Sequence, residues 1–449
     1  MPDDDPTDLT DAADATDPPD PTDPTGSTGS TDPTGSTDPT FPAAGRPVDE
    51  LIAEMRGGRG GDADWRAGRT FSLVYNAADP ELERLHEAVA HEYLHENYLN
   101  PFAFPSLMRM EREVVAMGAD LVHGNPRGGK LTSGGTESLF LAVQVARDHA
   151  RGTRSIAEPT VVLPSTAHPA FAKACHYLDV TEIRVPVGTD GRADVTATAA
   201  AVDERTAVVV GSAPCYPYGV VDPVPELAAL AAERGALCHV DACLGGWLLP
   251  FLERLGEPIP PWDFRVEGVT SLSADVHKYG WCFKGASLLL HRDPDLLRLQ
   301  YFLYDGWPGG LYGSATTAGT RPAAPIAAAW ATISHLGLEG YLRLADRVRV
   351  ASTRMRAGVQ AVAGLHVTGD PVPGVMEIAA DPGSGVDIAA VADVMDDRGW
   401  HLDRQQGGVH AIVSPSHVAA ADAFLADLAD AVAAHGESRG VEARYGGVG

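Results

Sequence analysis

The chain reads as an α/β protein, a mostly parallel sheet between helices, followed by a smaller α+β domain. Three observations predict this. From about residue 130 to 291, short apolar β-rich runs alternate with Ala-rich helical stretches. Strands that read as continuous apolar runs are buried on both faces, which is the pattern of a parallel sheet covered by helices. From about residue 322 the pattern becomes strongly helical (APIAAAWATISHLGLEGYLRLADRVRVASTRMRAGV) and then turns to weaker β and helical segments up to 436. Finally, 449 residues at 44% hydrophobic content suffice for one large domain and a smaller one.

The elements follow in order. Residues 1–45 repeat Asp-Pro-Thr and Gly-Ser-Thr units and hold eleven Asp with no Lys, Arg or Glu, so this tail carries −11 of a formal −27. With almost no large apolar side chain it cannot offset its ordering entropy and is expected to be disordered. A helical N-terminal segment is expected over 46–125. Its amphipathic helices are read over 80–98 (Leu82, Leu85, Val89, Tyr93) and 106–123 (Leu107, Met110, Val114, Leu121). The large α/β domain is expected over 126–321. Its strands are read at 160–164, 181–186, 206–214, 236–242, 268–275 and 286–291, and its helices at 136–151, 167–177 and 224–234. The small α+β domain takes 322–449. Ligands of such a sheet bind at the carboxyl ends of its strands.

Composition excludes several function classes. The acidic balance argues against nucleic acid or an anionic membrane surface as partner. No apolar run approaches the roughly 20 residues of a bilayer-spanning helix, and the acidic N-terminus is unlike a secretory signal. The five cysteines, Cys175, Cys215, Cys238, Cys243 and Cys282, form no C-x-x-C pair. They read as free thiols in a reducing compartment, so the expected location is cytoplasmic.

Two motifs carry little weight. His91-Glu92-Tyr93-Leu94-His95 matches the H-E-x-x-H of zinc peptidases, yet Tyr98-Leu-Asn-Pro101 breaks the helix soon afterwards. Gly124-Asn-Pro-Arg-Gly-Gly129-Lys130 has the spacing of a phosphate-binding loop, but Leu131 stands where Ser or Thr should. Neither fits the α/β pattern around it, and no metal site is expected.

The informative stretch is Ser271-Leu-Ser273-Ala-Asp275-Val-His277-Lys278-Tyr279-Gly280. A lysine just past a buried strand is poorly solvated, which lowers its pKa and suits an imine-forming amine. Taken alone it would be an ordinary loop lysine; three partners argue otherwise. Asp241, in His239-Val-Asp-Ala242, ends the preceding β-run and can pair with a protonated ring nitrogen. Ser133-Gly134-Gly135-Thr136-Glu137-Ser138 opens a helix with two glycines, a place for a phosphate. His168, in Thr166-Ala-His-Pro169, supplies a flat neighbour at another strand-to-helix loop. Amine, carboxylate, phosphate cradle and stacking ring are what pyridoxal 5'-phosphate requires.

Here the sequence resembles the sphingosine-1-phosphate lyases, members of the pyridoxal-phosphate-dependent group II decarboxylase family. The resemblance runs from about Tyr75 to Trp330 through LTSGGTES, STAHPAFAKA, YGVVDPVPELA, HVDACLGGWL, DFRVEGVTSLSADVHKYGWCFKGASL and GWPGGLY followed by AGTRPA. It implies the fold type I architecture of aspartate aminotransferase, with a seven-stranded sheet. It implies Lys278 as the Schiff-base lysine, Asp241 at the ring nitrogen and His168 on the ring, with Gly135, Thr136 and His277 on the phosphate. Thr320 matches a residue that reaches this phosphate from the other subunit, so a homodimer with shared active sites is implied. Tyr75 and Lys284 match the substrate-phosphate region, with Lys278 and Lys284 as proton carriers. One departure concerns the segment that ends in Asn100-Pro-Phe-Ala-Phe-Pro105. The lyases there read Asn-Pro-Leu-His, three residues and Phe-Pro, and the histidine is missing from this chain; His95 is a candidate replacement.

The expected reaction is retro-aldol cleavage of a phosphorylated β-hydroxy amine to an aldehyde and a smaller amine. Amino-acid decarboxylation on the same scaffold is the alternative, and a zinc peptidase a remote one.

Overall fold

A computed structural model describes residues 41–443. The acidic tail, up to residue 40, lies outside the described residues. The chain divides into two units, Met1–Asp62 and Ala63–Gly449. In the first, helix α1 (Val48–Gly57) leads into a 3-10 turn (Gly58–Gly61), and Arg46 pairs with Glu54. Everything that follows concerns the second unit.

Helix α2 (Pro80–Glu92) starts on Asp79, whose carboxylate accepts from the Glu81 and Leu82 N–H groups, with Pro80 in the first turn. It stops earlier than the helix expected over 80–98. The backbone of 96–98 bonds to 321–323 instead: Tyr98 N–H donates to Arg321 O (2.8 Å) and Ala323 N–H to Glu96 O (3.2 Å). Helix α3 (Pro105–Leu121) buries Leu107, Met110, Val114 and Val115.

The sheet begins with β1 (Gly129–Thr132), a strand the sequence reading did not anticipate, and α4 (Gly135–Arg154) follows. Then come β2 (Thr160–Pro164), α5 (Ala170–Leu178), β3 (Thr181–Val185), α6 (Val195–Ala201), β4 (Thr206–Ser212), α7 (Val224–Glu233) and β5 (Leu237–Asp241). Helix α8 (Leu249–Arg254), β6 (Ser271–Ala274), β7 (Ser287–His291) and α9 (Pro294–Gln300) complete the layer. The seven strands lie in the order β1-β7-β6-β5-β4-β2-β3. Neighbours from β3 to β6 pair parallel, and β7 runs antiparallel to both β6 and β1. Every residue of β2, β4, β5, β6 and β7 is buried, as continuous apolar strands between helices must be. At the edge, β3 exposes Glu182 and Arg184 in part, charges that block further strand pairing.

A hairpin, β8 (Phe302–Tyr304) with β9 (Tyr312–Ser314), leads to α10 (Ala323–Ala361), which changes direction at Gly337 (φ 51°). Helix α10 packs on α2, α3, α8 and α12. The C-terminal part holds β10 (Leu365–Val367), β11 (Val375–Ala380), α11 (Ile388–Asp397), β12 (Asp403–Arg404), β13 (Gly408–Ile412) and α12 (His417–Ala434). Its sheet is antiparallel, in the order β10-β11-β13-β12. Phe71 joins it from far away in sequence: its N–H donates to His401 O (3.0 Å) and its carbonyl accepts from Ile412 N–H (2.7 Å). Among the described residues no helix is long and apolar enough to cross a membrane.

Candidate active site

The strand order reverses between β2 and β4, the place where an open α/β sheet forms a crevice at its carboxyl edge. A cavity of about 410 Å³ lies there, within the size range of small-ligand pockets, ~300–1,000 Å³. Its walls include Ser133–Thr136 after β1, His168 after β2, Tyr216 after β4, Asp241 ending β5, and Asp275, His277 and Lys278 after β6. These side chains meet because each belongs to a strand end or the loop after it on one sheet edge.

Lys278 sits four residues past the end of β6. Its N–H donates to Asp275 O (3.2 Å) and its Nζ lies 3.0 Å from Asp275 Oδ2. Asp275 is 1% exposed. Burial pushes its carboxyl up, but the Lys278 and His277 charges outweigh this and hold its pKa below the usual value. The His277 ring is fixed by Ala286 N–H donating to Nδ1 (3.2 Å), and burial lowers its pKa. Asp241 Oδ1 accepts from Cys243 N–H (3.1 Å) and from Ser273 Oγ (3.3 Å), which holds the carboxylate at the cavity wall. His168 Nδ1 accepts from Ala170 N–H (3.1 Å), and burial lowers its pKa, so the ring is neutral.

Helix α4 begins on Gly134, whose side-chain position offers no cap, so its first N–H groups face the cavity end of the helix. Glu137 steadies this entrance: it accepts from Ser133 N–H (2.6 Å), from Thr317 N–H (2.7 Å) and from the Thr317 hydroxyl. Gly135 is tightly enclosed. A Cβ there would come within 2.8 Å of Asp275 Oδ2 and 2.9 Å of Cys243 Sγ. Amine, two carboxylates, neutral imidazole and an uncapped glycine-led helix end in one cavity fit pyridoxal phosphate.

Tyr75 and Lys284 line a second cavity, about 600 Å³, which shares His277 with the first. Lys284 Nζ lies 4.8 Å over the Tyr75 ring and donates to His277 O (3.5 Å). The residue as a whole is exposed. Partial desolvation, then the Lys278 charge, lowers its pKa to about 8. Tyr75 meets Tyr279 edge-on (5.1 Å), and Tyr279 OH donates to Gly374 O (2.6 Å), anchoring the lysine loop on the C-terminal part.

Thr320 is exposed and lines neither cavity of its own chain. It precedes Arg321, which is locked on Glu111 (3.0 Å) and Leu131 O (2.6 Å). His91 lies in the last turn of α2 and His95 beyond its end, so the H-E-x-x-H residues do not share one helical face; both histidines are exposed. Among the described residues no group of three or more His, Cys, Asp or Glu could hold a metal. Lys130 of the loop-like motif lies inside β1, in register with Leu289. A larger cavity of about 990 Å³, by α7, α8 and the 257–268 loop, contains none of the site residues. Sequence reasoning assigned no role to Asp275, Tyr216 or Glu137. Asp275 and Glu137 had a signal, since each lies three residues or fewer from a named site residue.

The chain is similar to known proteins over most of its length. Residues 85–375 match the pyridoxal-dependent decarboxylase conserved domain. The sphingosine-1-phosphate lyase of Arabidopsis thaliana is 40% identical over 393 residues, 85% of this chain and 72% of that protein. The solved sphingosine-1-phosphate lyase of Burkholderia pseudomallei superposes with a TM-score of 0.85 at 38% identity, covering 89% of this chain and 94% of that one. A Lactobacillus brevis glutamate decarboxylase (TM-score 0.76, 20% identity, 89% and 95% covered) shares the fold. The chain belongs to the pyridoxal-dependent decarboxylase family and, within it, to the sphingosine-1-phosphate lyases.

Proposed function

We propose that this pyridoxal-phosphate-dependent lyase cleaves the Cα–Cβ bond of a phosphorylated β-hydroxy amine, releasing an aldehyde from Cβ and a smaller phosphorylated amine. The observation that carries the reading is the pair of lysines on one loop. Lys278 faces the cavity with Asp241 and His168, while Lys284 and Tyr75 face the adjoining one across His277.

Lys278 would hold the cofactor as a Schiff base, Asp241 its ring nitrogen and His168 its ring face. Gly135, Thr136 and His277 would take its phosphate. When bound, pyridoxal phosphate supplies an electron sink for the pair released as the bond breaks. The chain's own residues do the rest. Lys284, protonated below its pKa of about 8, faces the substrate phosphate with Tyr75. Lys278 would take the hydroxyl proton and would return a proton to Cα. Lys284 would be the second proton carrier.

A homodimer is part of the same reading. Phe302, Leu303, Trp307 and Leu311 are each more than half exposed on the hairpin segment, an apolar patch of the kind that marks an interface. Thr320 follows this segment and would complete the partner's phosphate site. Five cysteines without a disulfide support a reducing, cytoplasmic location.

The test is a product assay on cofactor-loaded enzyme with sphingosine-1-phosphate, its unphosphorylated base and amino acids, following aldehyde and carbon dioxide. Aldehyde from the phosphorylated amine alone, absent in Lys278→Ala, is the expected result. Carbon dioxide without aldehyde would replace this reading with a decarboxylase.

A further inference from the structure

The edge strand β12 has two residues, and one of them reaches out of the sheet in two directions. Asp403 Oδ2 accepts from the Tyr216 hydroxyl at 2.7 Å, and Oδ1 accepts from Ser72 Oγ at 2.9 Å. These partners belong to different walls. Tyr216 lines the cavity that contains Lys278, and its ring stacks on His410 (3.9 Å between centroids, 29°). His410 is the register partner of Asp403 on β13, so ring and hydroxyl are both gripped from one stretch of sheet. Ser72 opens the run to Tyr75 in the second cavity, directly after Phe71, which is bonded into the same sheet.

We infer that Asp403 is a positioning residue for the reaction: it sets the Tyr216 hydroxyl at the cofactor cavity and, through Ser72, the segment that carries Tyr75. This rests on the lyase reading above, in which both cavities serve one substrate. The chemistry of the contact is specific. A carboxylate only accepts hydrogen bonds, so the Tyr216 proton is committed to Asp403. Toward a ligand, the Tyr216 oxygen then presents lone pairs and takes a hydrogen bond from a substrate N–H or O–H. An aspartate here therefore decides the polarity of a cavity group without lining the cofactor cavity itself.

The experiment compares Asp403→Leu, Asp403→Asn, Tyr216→Phe and the Asp403→Leu/Tyr216→Phe double variant as holoenzymes. Each is read by the visible circular dichroism of bound pyridoxal phosphate and by kcat and KM for sphingosine-1-phosphate. Asp403→Leu is expected to shift the dichroism as Tyr216→Phe does and to lower kcat about 10- to 100-fold, the worth of a hydrogen bond to a charged group. In kcat and dichroism the double variant should add nothing to either single change, while its KM exceeds that of Tyr216→Phe by the Ser72 arm's share. Asp403→Asn keeps an acceptor oxygen and should recover to within about threefold of wild type. Ser72→Ala cuts the other arm alone and should raise KM about threefold. Wild-type dichroism and kcat in Asp403→Leu would overturn the inference, as would kcat losses that multiply in the double variant. If Asp403→Leu does not fold, Asp403→Asn with a kcat loss as large as that of Tyr216→Phe overturns it too. Failure of the lyase reading looks different: wild type releases no aldehyde, while the dichroism cycle still decides whether Asp403 acts through Tyr216.

Discussion

Lys284 is an exposed residue whose ammonium lies against Tyr75 and the His277 carbonyl, and its pKa is lowered to about 8. Desolvation and the Lys278 charge both disfavour its protonated form. The charge that faces a substrate phosphate is therefore full below pH 7 and fades as pH rises through 8. For a phosphorylated substrate, kcat/KM should fall above pH 8, because that ratio reports groups of the free enzyme. Lys284→Arg keeps a charge at every accessible pH and should move this limb upward, while kcat falls because a guanidinium transfers no proton. A pH profile without a limb near 8, or one that the arginine leaves in place, would remove Lys284 from phosphate binding. Sequence reasoning could name Lys284 only by resemblance, since nothing local separates it from a surface lysine. Asp403 and Tyr216 left no local signal either, because their bond spans 187 positions.

Elements were legible in proportion to their burial. The run at 160–164 is β2 to the residue, and 206–214 covers β4 (Thr206–Ser212), because Val161, Val162 and Val208–Val210 are apolar, β-branched and fully enclosed. Gly129-Lys-Leu-Thr132 carries no such signature and becomes β1 only by pairing with β7. The site residues converge for a reason that pattern alone supplies: parallel strands end on one edge, so loops after different strands share a crevice. What pattern does not supply is the space at each position. Gly135 in the first turn of α4 is the clearest instance. Its replacement by Ala would press a methyl on Asp275 and Cys243, both buried, so the helix end must shift. Gly135→Ala should weaken pyridoxal phosphate binding by about tenfold or more and cost about 1–3 kcal/mol of stability. Gly152, in the same helix with nothing within 4 Å of its Cβ position, is the control. Its change to Ala should leave cofactor affinity alone and stabilise by about 0.5–1 kcal/mol. An absorbance titration with the cofactor and a melting curve read both; equal affinity in Gly135→Ala and wild type would refute the cradle.

At the scale of the whole molecule, four buried histidines couple the fold to pH. Burial lowers His239 in β5, His291 in β7 and His417 in α12 to about 4, and His410 in β13 to about 3. They are spread over both sheets and the helix that covers the smaller one, so their protonation strains no single element. In the unfolded chain each titrates near its ordinary 6.5. Between about pH 6.5 and 4 the unfolded state therefore binds protons that the folded state refuses, and stability falls as pH drops through that window. Above 6.5 both states are neutral at these sites and the stability is fully present. Two buried groups oppose the trend: Asp222, raised to about 6 by burial, and Glu377, also raised by burial, bind their protons in the folded state first and gain stability on acidification. Each site is worth about 1.4 kcal/mol per pH unit, so four histidines outweigh two carboxyls. The melting temperature should drop on the order of 10 °C between pH 7 and 5. His410→Phe fills the same stack on Tyr216 with a ring that never ionises. Whatever it does to the melting temperature at pH 7, it should flatten the acid slope by one site's share. A melting temperature level from pH 7 to 5, or an acid slope unchanged in His410→Phe, would mean that these rings take up protons without unfolding the chain.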